Sequence, residues 1–366
     1  RVFGSDCSVN LKGVRKVALL VERYGTRRFA YAGNSTADFP VWAEASEAIV
    51  VNASAAVESR ARTLTTVSRV FSSPAKWAKS VAKALRVHQW AKNVLVFVPV
   101  LASHQLINGR LMLQAGLAFL AFSLCASSVY IINDCLDLES DRRHPRKRNR
   151  PFASGSLSIP FGLTLAAVCL VGGVLVAVAL PPLFLLVLAG YLVLTTGYSF
   201  YLKQFVLLDV IVLAQLYTVR VYGGGAATGV APSHWLLTFS LFLFLSLALV
   251  KRFTELRLMS QTEGKGLHGR GYWVTDLEHV SSIGTASGLL AVLVLALYIS
   301  SKEVLLLYTH ADVLWLVCPV MLYWISRVWM LAYRNQMDDD PVVFAVKDPK
   351  SYAMAAIIAA ILFFAK

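Results

Sequence analysis

Residues 133–151, NDCLDLESDRRHPRKRNRP, concentrate more reactive side chains than any other stretch of the chain. Asp134, Asp137 and Asp141 lie three and then four residues apart, so a helix running through them stacks their carboxylates on one face. Asn133 precedes the first acid, and Arg142, His144, Lys147 and Arg150 follow the last. Carboxylates brought together repel one another unless a divalent cation sits between them. Mg²⁺ suits such oxygen donors and commonly bridges to substrate phosphates. The cations suit the phosphate oxygens that the metal does not reach. The competing reading is a solvated, mixed-charge loop. Helical spacing of acids at the end of an apolar run, and the framing of the cations by Pro145 and Pro151, favour a metal–phosphate site with Asp134, Asp137 and Asp141 as ligands.

A second charged stretch offers complementary chemistry. Lys251, Arg252 and Glu255 stand in KRFTEL, and GRGYWVTDLEH adds Arg270, Tyr272 and Asp276. Lys251, Arg252 and Arg270 are candidates to clamp phosphate, and Asp276 is a candidate for a second metal. Gly264, Gly266, Gly269 and Gly271 give the intervening loop the freedom of a lid. In RVHQWAKN, Lys92 and Asn93 stand at the mouth of the first apolar segment beside Arg86, where snorkelling and phosphate contact are equally open readings. Tyr198, Lys203, Asp209 and Arg220 place polar groups in or beside apolar helices. A buried Arg220 needs a partner or an anionic ligand, and Asp209 is the nearest acid in sequence.

The elements that must position these groups are membrane helices. Of 366 residues, 57% are hydrophobic, and the mean hydropathy is +0.61, too apolar for an ordinary soluble domain. Apolar segments near 91–107, 111–135, 158–180, 182–201, 206–226, 233–250, 284–301, 312–333 and 352–365 predict an all-α bundle of nine spans with cytosolic cap loops. The charged loops, near 136–157, 202–205, 251–282 and 334–351, alternate with nearly bare ones. The positive-inside rule therefore puts every candidate group on the cytosolic face of the cytoplasmic membrane. The formal net charge of +14 points to an anionic substrate, an anionic membrane surface, or both, and not to nucleic acid. Cys7, Cys125, Cys135, Cys169 and Cys318 lack CxxC spacing and are expected to be reduced. The acidic run Asp338–Asp340 is expected to be a loop cap.

Residues 1–60 read differently. Short β-type runs at 29–32 and 48–52 flank GNSTADFP, the pattern of a partial α/β unit. The piece resembles part of a haloacid dehalogenase-type phosphatase. The resemblance rests on Gly33, Asn34, Ser35 and Asp38, with Lys12 or Lys16 upstream, and Asn34 stands where that family has an acid. The chain opens at Arg1 without a signal-peptide pattern, and this part is expected to be a fragment without phosphatase activity of its own. Residues 61–85 are expected to be a linker and a basic amphipathic helix of the kind that lies on anionic membranes, with a membrane domain filling 86–366.

NDxxDxxxD at the end of the second span resembles the UbiA superfamily of intramembrane prenyltransferases. That likeness implies a nine-helix bundle with a central cavity and a lateral opening for an isoprenoid. It also implies Mg²⁺ and diphosphate at Asn133, Asp134, Asp137 and Asp141. RxHQWxKN, DxxHPxKxxRP, YxxxLK and KRxxEL are similar to the decaprenyl-phosphate phosphoribosyltransferase branch, which supplies cell-wall precursors. The second acidic motif of the superfamily, DxxxD, is not intact: only Asp276 stands near it, with Tyr272 four residues before. The resemblance implies phosphoribosyl pyrophosphate as donor and a polyprenyl phosphate as acceptor. Lys147, Arg150 and Lys203 would then offset charge as pyrophosphate leaves. Prenyl transfer from a prenyl diphosphate to an aromatic or other small acceptor is the alternative, and an anion transporter is the alternative of another class.

Overall fold

A computed structural model describes residues 13–71, 74–143, 147–261, 270–301, 304, 307–337, 341–345 and 347–366. The chain divides into two compact units, Arg1–Ser80 and Val81–Lys366.

The first unit contains α1 (Val14–Tyr24), β1 (Ala30–Gly33), α2 (Phe39–Glu44), β2 (Glu47–Val51), α3 (Ala55–Leu64) and β3 (Thr66–Phe71). The strands form a parallel sheet in the order β1-β2-β3, with Tyr31 opposite Ala48 and Ala48 opposite Val67. Residues 66–71, expected to be linker, thus form a third strand. Their β-branched Thr66, Val67 and Val70 suit a pleated surface. Trp42, Ala48, Val50, Val57 and Ala61 make the core. The GNSTAD turn is closed by Asp38, which accepts the amides of Asn34 and Ser35 at 2.9 and 3.1 Å and the Tyr31 hydroxyl at 3.1 Å. Burial works against that carboxylate, but these hydrogen bonds outweigh it and hold its pKa below the ordinary value. Lys16 donates to Tyr31 Oη at 2.8 Å, and Lys12 lies outside the described residues.

Helix α4 (Pro74–Ala84) carries the division between the units, and it is followed by a 3₁₀ segment, Val87–Phe97, and α5 (Val98–Ala102). Then come α6 (Gly109–Leu136), α7 (Leu138–Arg143), α8 (Ile159–Val178), α9 (Pro182–Phe200), α10 (Leu208–Thr228) and α11 (His234–Gln261). The unit ends with α12 (Leu277–Ile299), α13 (Val317–Tyr333), α14 (Pro341–Ala345) and α15 (Pro349–Ala365). Among the described residues, seven helices are long and apolar enough to cross a bilayer: α6, α8, α9, α10, α11, and α12 and α13 with the turns that lead into them. The first and last of the nine expected spans take other forms. Residues 87–102 are the 3₁₀ segment and α5, and α15 is an apolar helix of 17 residues, short for a hydrocarbon core of ~30 Å.

Helix α10 is central, packing on α6, α9, α11 and the 3₁₀ segment. Its glycines permit this. A Cβ at Gly224 would lie 2.0 Å from the carbonyl oxygen of Val96, so only a bare backbone fits. On one side of α10, Phe122 meets Phe184 and Tyr191 edge-on at 5.6 and 5.1 Å between ring centroids. On the other, Trp329 donates to Ser246, which donates to Gly284 O, and Leu249 and Phe253 fill the space around them. Cys125, Cys135, Cys169 and Cys318 are free thiols. Cys7 and Asp338–Asp340 lie outside the described residues.

Candidate active site

The last turn of α6 presents Asn133 and Asp134. Asp137 ends the helix, its amide bonded to Asn133 O, and the chain re-enters a helix that carries Asp141. The acids therefore do not run along one continuous helix as their spacing predicted. Arg150 restores the connection: its Nη1 donates to Asp134 Oδ1 at 3.0 Å and to Asp141 Oδ2 at 2.7 Å. Arg86 donates to the same Asp134 oxygen at 2.6 Å, its guanidinium 4.9 Å from the Tyr130 ring centroid. Asp134 and Asp141 are buried, whereas Asp137 is exposed.

This wall faces a cavity of about 570 Å³. Asn133, Asp134, Asp137, Lys147 and Arg150 line one side, with the Asn133 amide donating to Ser199 at 3.0 Å. Tyr198, Lys203, Lys251 and Arg270 line the other. Lys92, Tyr217 and Arg220 also line it. The Arg220 guanidinium is held by Asn93 Oδ1 at 2.7 Å, the Tyr191 hydroxyl at 2.9 Å and the carbonyl of Leu216. It also stacks near the Tyr191 and Tyr217 rings, at 4.9 and 5.6 Å. Among the described residues it has no carboxylate partner, and Asp209, the acid nearest in sequence, pairs with Arg252 instead. Eight Lys and Arg side chains and two carboxylates line the cavity, a formal excess of six positive charges.

Several expected contacts have other duties. Asn93 spends both ends of its amide inside the protein, donating to Ser123 at 2.9 Å and accepting from Arg220, so it positions that arginine. Arg142 ties down its loop through Ala153 O at 3.2 Å. Arg252 is sealed from solvent between Asp209, at 2.7 Å, and Glu255, and does not line the cavity. Tyr272 is buried on Asp209, at 2.5 Å. Asp276 accepts the Trp273 amide at 2.8 Å at the approach to α12 and is not among the described side chains that line the cavity. His144 and the glycines 264, 266 and 269 lie outside the described residues.

Conversely, Tyr130, Tyr191, Thr195 and Ser199 line the cavity without having been singled out. Tyr191, Thr195 and Ser199 follow a four-residue period on α9, a signal visible in the sequence but hidden among apolar neighbours.

The donors suit a hard cation in type. Asp134 and Asp137 open onto one cavity and Asp141 is joined through Arg150, although no group of three acidic, histidine or cysteine ligands converges among the described residues. An ion that takes few protein ligands and completes its shell with water and phosphate fits such a site.

A profile of the UbiA prenyltransferase family matches residues 94–355. The chain belongs to the UbiA prenyltransferase family. It is 39% identical over 363 residues to the protein y4nM of Sinorhizobium fredii, covering 97% of this chain and 69% of that one. It is 38% identical over 289 residues to nodulation protein NoeC of Azorhizobium caulinodans, with 75% and 91% covered. It is 37% identical over 196 residues to the decaprenyl-phosphate phosphoribosyltransferase of Mycobacterium tuberculosis, with 52% and 64% covered. Among solved structures, a UbiA homologue from Archaeoglobus fulgidus bound to GPP and Mg²⁺ superposes with a TM-score of 0.58 at 16% identity, over 78% of this chain and 99% of that one. The family and the seven apolar helices make this UbiA-type enzyme an integral, multi-pass membrane protein.

Proposed function

We propose that the protein transfers a phosphoribosyl group from phosphoribosyl pyrophosphate to a polyprenyl phosphate at the cytosolic face of the membrane, releasing pyrophosphate. The observation that carries this reading is the cavity's excess of six positive charges. A prenyl diphosphate with a neutral acceptor brings one anionic group to such a site. Phosphoribosyl pyrophosphate with a lipid phosphate brings three: the diphosphate, the ribose phosphate and the acceptor. The similarity to the mycobacterial phosphoribosyltransferase supports the same choice.

In this reading Asp134 and Asp137, with Asp141 behind Arg150, would hold Mg²⁺, which when bound would offset the charge of the pyrophosphate. Lys147, Arg150 and Lys203 bind the diphosphate oxygens that leave. The ribose C1–O bond breaks with its electron pair going to pyrophosphate, and an oxygen of the lipid phosphate forms the new bond to C1. The acceptor is already an anion, so no strong base is required, and positioning and electrostatics supply the rate. Lys92 and Arg220, which also line the cavity, suit the acceptor phosphate. Tyr198 and Tyr217 help to keep water from the electron-poor C1.

The alternative, prenyl transfer to a small acceptor, draws on the family itself and on the GPP-bound homologue. Purified protein in lipid, given Mg²⁺ and polyprenyl phosphate, is expected to move radiolabel from phosphoribosyl pyrophosphate into the lipid fraction. Label entering product only from a prenyl diphosphate would reverse the choice. Solute flux into proteoliposomes without pyrophosphate release would favour the transporter.

A further inference from the structure

We propose that Tyr272 is a positioning residue, a latch that holds the loop carrying Arg270 against the turn carrying Lys203, so that the two cations meet an anionic substrate together. The latch rests on the proposed reading of the cavity as a phosphate site, and the hydrogen bonds that make it, among Tyr272, Asp209 and Leu207, lie outside the cavity lining.

Its parts converge on one carboxylate. Asp209, in the first turn of α10, is fully buried. Its Oδ1 accepts the Tyr272 hydroxyl at 2.5 Å. Its Oδ2 accepts Arg252 Nε at 2.7 Å and lies 4.0 Å from Arg270 Nη1. The Tyr272 oxygen also accepts the Leu207 amide at 2.9 Å. Leu207 has a φ of +63°, a conformation uncommon for a branched side chain, and this hydrogen bond is what its amide meets there. Gly271 completes the contact. At a φ of +69° it lies on the 202–207 turn, and a Cβ there would come within 3.0 Å of Gln204 O.

Each arm of this junction adjoins a cavity cation. Lys203 precedes Gln204, Arg270 precedes Gly271, and Lys251 precedes Arg252. Three side chains from three segments distant in sequence are thus registered by one buried hub. Two guanidinium nitrogens in it, Arg252 Nη2 and Arg270 Nη1, are buried without a hydrogen-bond partner among the described residues. Undocking the loop would leave Asp209 short of a donor in an apolar setting, which makes the docked state the one the charges favour.

The test uses full-length protein in lipid nanodiscs. Tyr272→Phe keeps the buried ring and removes both hydrogen bonds. The expected result is a rise of about tenfold in the KM for phosphoribosyl pyrophosphate and in the Kd for Mg²⁺–pyrophosphate, with kcat changed by less than about twofold. In a background carrying Lys203→Ala and Arg270→Ala together the same change is expected to add little, since its effect runs through those two cations. Additive effects, or an unchanged KM and Kd, would overturn the latch. Gly271→Ala, which leaves the hydroxyl but lifts the loop from Gln204 O, is expected to reproduce the KM rise and covers the case of a Phe variant that fails to fold. Amide exchange over 202–207 reads the latch without any ligand: Tyr272→Phe is expected to accelerate it, and unchanged exchange sinks the proposal. Wild-type protein that binds no Mg²⁺–pyrophosphate would remove the proposed function while leaving the exchange result to decide the latch.

Discussion

Two clusters in this protein are built from the same parts, aspartates and arginines, and the structure puts them to different uses. In the first, Asp134 and Asp141 share Arg150, and Arg86 joins them. The arginine side chains stay 23% and 26% exposed at the lip of a cavity. In the second, Arg252 and Asp209 are both 0% exposed and closed over by Tyr272. Partly hydrated arginines give up a carboxylate at modest cost, because water replaces what is lost. A sealed pair has no such replacement: removing Asp209 would leave Arg252 with Glu255 alone and the Tyr272 hydroxyl without its acceptor in an apolar core. Exposure of the cation, rather than residue type, separates a site that exchanges partners from a joint that holds the fold.

The sharpest way to break this comparison is at the sealed joint. Asp209→Ala is expected to destabilise the protein by about 3–5 kcal/mol, read as a loss of folded protein or a lowered unfolding temperature in detergent. A stable variant would show that burial does not distinguish the clusters. At the open cluster, Asp134→Asn is expected to cut transfer about 100-fold or more while the protein inserts and unfolds as wild type does. Wild-type turnover would remove Asp134 from the reaction.

A third pair tests the intermediate case. Asp348 caps α15 and binds Arg327 through two hydrogen bonds at 2.7 and 3.0 Å, and Arg327 holds its carboxyl down at about 2. A carboxyl whose folded pKa lies below its unfolded one stabilises above the unfolded value and loses that contribution as pH falls through the folded one. Asp348→Asn is expected to cost about 1–2 kcal/mol near neutrality, and the gap to wild type should close between about pH 4 and pH 2. A gap that widens on acidification would contradict the assignment. The smallest effect is expected at Asp276. Replacing it with alanine removes one turn hydrogen bond and should lower stability by about 1 kcal/mol with turnover unchanged. A loss of Mg²⁺ dependence in that variant would restore Asp276 to the site.

Most of the open cluster was legible in the sequence because its residues are close together, whereas Arg86, 48 residues before Asp134, was not tied to it. Asp134, Asp137, Lys147 and Arg150 span one helix end and one loop, and all four reach the cavity. The sealed joint was not, because its partners come from far along the chain: Arg252 is 43 and Tyr272 63 residues from Asp209, and the separate buried pair of Arg220 and Asn93, 127 residues apart, was hidden in the same way. Hydropathy shows that a polar group is in an apolar helix but not which neighbour satisfies it, so Arg252 and Asn93 read as substrate contacts. The apolar pattern also located the long helices but missed the 3₁₀ form of residues 87–97. That segment takes its place from the glycine face of α10, a tertiary contact that periodicity does not encode.

That contact has a consequence for the chamber itself. Gln89 and Lys92 stand on the segment whose Val96 carbonyl rests against Gly224. One hydrogen atom, where every other amino acid has carbon, therefore fixes how near that wall stands to its opposite. The width of the cavity is decided inside the bundle by the smallest side chain of all, and enlarging it would resize the chamber without altering a single charged group that lines it.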